Sequence, residues 1–177
     1  MDWDAFNAAM PAQFKVDVEK LKLKQAIEIA LQTCEKIIHS GMLEAKHVPH
    51  IVFESAFAYL LACLSDALQK LKRAKMSVAF DDEMPVGYEE KNVTDLIADC
   101  RNAACHVNSP EREIATNYFT PIVLTKKNPR YLVVNGVEYG NDYDDDVAIL
   151  FGDKRIYLRR HIERALNEAR SALASMK

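Results

Sequence analysis

Apolar residues recur at steps of three and four in four separate stretches of the chain, and between the third and fourth of them the period shifts toward two. Ile27, Ala30, Leu31, Cys34, Ile37 and Ile38 line one face at helical spacing, which predicts a first long helix over residues 14–39. Gly41 suits the left-handed position that ends such a helix. Pro49 is placed to start a second, from about His50 to Lys75. The apolar stripe of this second helix includes Phe53, Phe57, Leu60, Leu61, Leu64, Leu68 and Leu71, broad enough to touch more than one neighbour. "AFDDEMPVGYEEKN", with Pro85 and Gly87, reads as a loop. Asn92 or Thr94 can cap a third helix, with Asp95 set favourably against its positive end, and Leu96, Ile97, Cys100, Ala103, Ala104 and Val107 form its inner stripe. Pro110 disfavours helix at Ser109 while Ser109 can cap a new start. The pattern therefore predicts a bend near His106 and a short helix over residues 110–118.

Beyond Pro121, "IVLT", "YLVV" and "VAILF" are rich in branched and aromatic residues and are separated by the turn signals Asn135-Gly136 and Gly152-Asp153. They predict a small antiparallel sheet or pair of hairpins. "RRHIERALNEARSAL" returns to helical spacing through Ile162, Ala165, Leu166, Ala169 and Leu173. The expected fold is mainly α, one domain over residues 1–177. It is a four- to five-helix bundle with a small antiparallel β-hairpin excursion, a β-rich insertion at about 121–158, before the C-terminal helix.

Composition narrows the function classes. A chain of 177 residues is long enough for one sizeable core. The first residues carry acids early and make a poor signal peptide, and no window is expected to approach a membrane span; the reading is a cytoplasmic protein with no membrane contact. Cys34, Cys63, Cys100 and Cys105 lack metal-site spacing and read as buried small hydrophobes in a reducing compartment. No metal and no cofactor are expected. His39, His47 and His50 have no accompanying carboxylate or cysteine pattern and read as surface residues, and Asp142–Asp146 lacks the glycine and terminal glutamate of a calcium loop. A net charge of -3 excludes a protein that binds nucleic acid through a global basic field. Charge is uneven, however. Residues 81–99 hold seven acids against Lys91 alone, whereas "KLKRAK" and the last segment are basic. Arg159, Arg160, His161 and Arg164 form a strip that can receive RNA phosphate if it packs near an active centre, or else a solvated basic face.

The densest chemistry lies in "DCRNAACHVNS". Asn102 and His106, four apart, share a helix face. Arg101 lies about 140° from His106 on an ideal helix, an angle that a long guanidinium can cover. An imidazole moves a proton near neutral pH, and a permanently charged planar fork holds phosphate oxygens as negative charge builds. The simpler alternatives are a histidine that caps carbonyls, an arginine paired with Asp95 or Glu111, and an asparagine that ends the helix.

Arg101-Asn102-Ala103-Ala104-Cys105-His106 also fits the arginine, polar residue, short spacer and histidine motif of HEPN domains. The setting resembles that family over about residues 14–120 plus the last helix. The resemblance implies a metal-independent endoribonuclease, often a toxin or defence nuclease, whose paired motifs face each other across a homodimer to make a composite RNA cleft. It implies that Arg101 orients the scissile phosphate, that His106 assists proton transfer as the 2′-hydroxyl attacks, and that Asn102 holds the geometry. A nucleotidyltransferase-type antitoxin is an implied partner. A noncatalytic helical module that binds a protein or RNA is the alternative, motivated by the broad stripe of the second helix; a nucleotide-binding regulator is a third.

Overall fold

Four helices carry the predicted stripes. The structure is a computed structural model that describes residues 12–48, 51–84, 91–106, 110–114, 117–118 and 121–176; His50, Tyr88 and the expected bend at 107–109 lie outside them. Helix α1 (Ala12–His39) buries Ile27, Leu31, Cys34 and Ile37, and Gly41 beyond its end adopts a φ of +78°, as a left-handed terminator must. Helix α2 (Ile51–Arg73) is the centre of the molecule, and Leu60, Leu61, Leu64, Leu68 and Leu71 on it are completely buried. By length and composition α2 could cross a membrane, contrary to the expectation that no window approaches a span, although half of that window is buried within the fold. It packs against α1, against α3 (Val93–Cys105) and against α4 (Arg164–Ser175). The breadth of its stripe thus reflects three neighbours.

Asn92, not Thr94, caps α3: its side-chain oxygen accepts the N–H groups of Thr94 at 2.9 Å and Asp95 at 3.4 Å. Thr94 is buried instead and donates its hydroxyl to the carbonyl of Val78 at 2.6 Å. The short helix expected at 110–118 is not formed. One 3-10 turn at Pro110–Arg112 gives way to a ladder between β1 (Glu113–Ile114) and β2 (Asn117–Tyr118). So short a segment gains little from helical bonds after the cost of nucleation, while Ile114 and Tyr118 are strand formers.

The β region is also larger than a single hairpin. Strand β3 (Ile122–Leu124) pairs with β6 (Ala148–Phe151), and β6 with β7 (Lys154–Tyr157), in a three-stranded antiparallel sheet. A separate hairpin joins β4 (Asn128–Val134) to β5 (Val137–Asn141) through Asn135 and Gly136, both at positive φ, the requirement of a two-residue hairpin turn. All four residues of β6 are buried. A strand with both faces covered reads as a continuous apolar run, and Ile149, Phe151 and Ile156 belong to the same hydrophobic cluster as the helices. Phe57 of α2 stacks on Phe151 with centroids 6.3 Å apart. The molecule is mainly α with a sheet built into its core, rather than a helical bundle carrying an appended hairpin.

The C-terminal helical segment opens with one wide turn, Leu158–Glu163, bonded in the i to i+5 pattern before α4 begins. Its first N–H groups meet a distant carboxylate: Asp146 accepts those of Arg159 at 2.9 Å and Arg160 at 3.0 Å. At the other side of α4, Arg170 reaches α1, donating to both oxygens of Glu35 and to Glu28.

Candidate active site at the end of helix α3

Helix α3 ends at Cys105, and His106 is its cap, with extended backbone (φ -123°, ψ 110°) and its N–H bonded to the carbonyl of Asn102 at 3.1 Å. The His106 side chain is exposed. Arg101 and Asn102 are half-buried, and an Nη1 hydrogen of Arg101 is donated to Oδ1 of Asn102 at 2.9 Å. Of the simpler readings, the pairing of Arg101 with Asp95 is not formed, since Asp95 pairs with Lys72 at 3.4 Å, the side chain of Glu111 lies outside the described residues, and Asn102 spends its side chain on the arginine. The pair lines an open groove of about 310 Å3 between α2 and α3, whose other walls include Ser65, Asp66, Gln69 and Arg73. His106 is outside that lining, so within one protomer the groove gathers Arg101 and Asn102 while the histidine stands at its end of the helix.

Sequence reasoning did not place Arg73 here. Its signal was "KLKRAK", a basic run whose lysines turn to carboxylates, Lys70 to Asp66 and Lys72 to Asp95, leaving exposed Arg73 beside Arg101 in the groove. Arg112 was missed as well. Its Nε donates to the carbonyl of Ala103 at 2.5 Å and its Nη2 to that of Ala104 at 3.4 Å. Those are orphan acceptors of the last helical turn, so Arg112 closes the helix that carries the motif. A basic residue shortly after a helix end was the available signal.

In the strip expected to receive RNA phosphate, the structure corrects His161 and gives Arg160 and Arg164 acidic partners. His161 is fully buried: its Nδ1 accepts the N–H of Tyr157 at 3.1 Å, and burial pushes its pKa down to about 4. Its Nε2 has no hydrogen-bond partner. Arg160 is held by Asp145 and Asp146 at 3.1 Å and lies 3.5 Å over the ring of Tyr143. Arg164 binds Asp82 and Glu168 and covers Phe80. Arg159 is exposed but faces a hollow of about 590 Å3, where Glu44, Asp144, Asp145, Asp146 and Glu163 outnumber Lys46 and Arg159; phosphate is repelled from such walls.

Among the described residues no group of three His, Cys, Asp or Glu side chains is placed to hold a metal ion. Cys34 and Cys100 are buried, with desolvation raising the Cys34 thiol to about 12, but Cys105, expected inside, is exposed next to His106. Comparison with protein families, curated proteins and solved structures gives no match.

Proposed function

We propose that the chain is a metal-independent endoribonuclease of the HEPN type. The observation that carries this reading is the exposed end of α3, where Arg101 and Asn102 are joined and line a groove while His106 stands free of the helix. Arg101, with Arg73 beside it, binds the scissile phosphate and offsets the charge that develops on its oxygens. His106, an exposed imidazole, takes the proton of the attacking 2′-hydroxyl, and its counterpart in a second protomer returns one to the leaving 5′-oxygen. Asn102 fixes the guanidinium. A homodimer brings the two histidines to one composite cleft, and the protein is a cytoplasmic toxin or defence nuclease restrained by a nucleotidyltransferase-type antitoxin.

The test is RNA cleavage by purified protein in excess chelator, with end-group analysis and the oligomeric state read by light scattering. Cyclic phosphate ends are expected, with loss of cutting in Arg101→Ala and His106→Ala at unchanged thermal stability. Cutting that survives both substitutions overturns the assignment. The noncatalytic reading draws on Ile51, Val52 and Tyr59, large apolar residues exposed on α2. Intact RNA together with a stoichiometric protein partner bound through those residues favours it.

A further inference from the structure

A second recess flanks the end of α3. It has a volume of about 200 Å3 and is lined by the buried Phe53, Phe57, Ile149 and Phe151, by Ala104 of the motif, and by Arg112 and Glu54. The size suits one ring system better than a whole nucleotide, since pockets for drug-sized ligands start near ~300 Å3. Its floor is apolar, and the rings of Phe53 and Phe57 lie nearly parallel with centroids 6.1 Å apart. Glu54 and Arg112 line the same recess, a carboxylate and a guanidinium at one apolar floor. The Arg112 fork is already oriented by the carbonyls of Ala103 and Ala104, so its direction does not have to be fixed on binding.

We propose that this recess receives a guanine base, that of the nucleotide adjoining the scissile phosphate; the RNA source of the base rests on the ribonuclease reading. Guanine alone among the four bases offers two acceptors, O6 and N7, to an arginine and, on the adjoining edge, the N1–H and N2–H donors that a carboxylate accepts. Adenine lacks O6 and the N1 proton, and the pyrimidines lack N7. Glu54 and Ala58 in the recess, and Ala62, Asp66, Gln69 and Arg73 in the groove, follow one another at steps of three and four along α2. They therefore form one helix face, and the base recess and the phosphate groove are successive stations on it. A strand laid along that face meets Arg101 with its phosphate and Glu54 with its base.

Calorimetry with the full chain and GMP, IMP, 7-deaza-GMP, AMP and UMP tests the base site apart from catalysis. GMP is expected to bind about tenfold or more tighter than AMP or UMP, in line with the discrimination of one bidentate contact. IMP, without the 2-amino group, and 7-deaza-GMP, without N7, are each expected to lose most of that margin. Glu54→Gln, a change at an exposed side chain, should bring GMP to the level of AMP with the thermal midpoint unchanged. Equal binding of GMP and AMP, or a guanine preference that persists in Glu54→Gln, overturns the proposal. Oligonucleotides with a single guanine at varied positions supply the RNA arm, where cuts are expected next to that guanine. GMP binding by a protein that cuts no RNA keeps the base site and removes the ribonuclease reading. Cleavage indifferent to guanine, with no GMP bound, does the reverse. GMP binding with guanine-indifferent cleavage overturns the RNA source of the base in favour of a free nucleotide.

Discussion

Acid should weaken this fold through one residue, His161. The side chain is fully buried, its Nδ1 is committed to the N–H of Tyr157, and Nε2 finds no partner. Desolvation is the dominant influence on its protonation; Asp146 and Glu83 favour the charged form and Arg155 opposes it, leaving a folded pKa of about 4 against 6.5 for the free side chain. Because the folded value lies below the unfolded one, the unfolded chain binds the proton first. Stability is therefore intact above pH 6.5, falls as pH drops from there toward 4, and levels off below. Linkage between those two values gives a loss of about 2–3 kcal/mol by pH 4.5, a large share of an ordinary domain's 5–15 kcal/mol. The assay is urea unfolding at steps from pH 7.5 to 4.5, in wild type and in His161→Asn, whose amide oxygen can still accept the N–H of Tyr157. The variant starts less stable but lacks the titration, so the two stability curves should converge by roughly the stated amount. Parallel curves across the window would refute the reasoning.

Other positions give equally direct tests. The Asp146 carboxylate is completely enclosed and accepts from Val147, Arg159 and Arg160, including the Arg160 guanidinium; Asp146→Ala should cost about 1–3 kcal/mol by urea unfolding, because it takes the acceptor from the N–H groups that open the wide turn and leaves Arg160 to Asp145 alone. A Cβ on Gly140 would sit 2.0 Å from the carbonyl oxygen of Asn128, so Gly140→Ala should shift the β4–β5 register and destabilise by about 1–3 kcal/mol, visible as altered amide shifts in that hairpin. Arg112→Ala should cost about 1–3 kcal/mol and speed amide exchange at Cys105 and His106 before it affects α1; uniform loss of protection across the chain would contradict its role as a local cap.

What could be read from the sequence follows the range of the forces concerned. The stripes of α1, α2, α3 and α4, the cap at Asn92 and the turn at Asn135-Gly136 are set by residues within a few positions of each other, and periodicity and turn chemistry expose them. The run "VAILF" shows branching but not burial on both sides, so its place in the core depends on helices far away in the chain. "NSPEREI" carries a helix start signal, yet the strand partner at Asn117–Tyr118 wins. His161 was misplaced for a geometric reason. The segment Leu158–Glu163 winds in the i to i+5 pattern, so side-chain phase advances more slowly than a count at 3.6 residues per turn assumes. Its arginines looked free because their partners lie at Asp82, Asp145 and Asp146, beyond any local window. The sequence offers Arg101, Asn102 and His106 together, but only the first two line the groove, and that depends on where α3 stops, at Arg112 and the extended cap.

These ion pairs change what the net charge means. Among the acids of residues 81–83 and 142–146, Asp82 is held to Arg164 and Asp145 and Asp146 to Arg160 of the C-terminal helical segment, while Asp142 is held to Arg155 of β7. They act as clamps between segments, and Arg160 and Arg164 of the basic strip are spent with them. The groove of α2 and α3 retains Arg73 and Arg101. In a homodimer that supplies four guanidinium groups to one cleft, and binding of single-stranded RNA should then show a slope of log K against log salt of about -3, since each neutralised phosphate contributes about -0.7. If Arg159, Arg160 and Arg164 of both protomers also met phosphate, the ten cations would give about -7. Titrations of the His106→Ala protein, expected to bind without cutting, between low and moderate salt separate the two values. A slope near the steeper one would mean that the clamps open on RNA binding, and would return the last helix to the site from which its carboxylate partners now remove it.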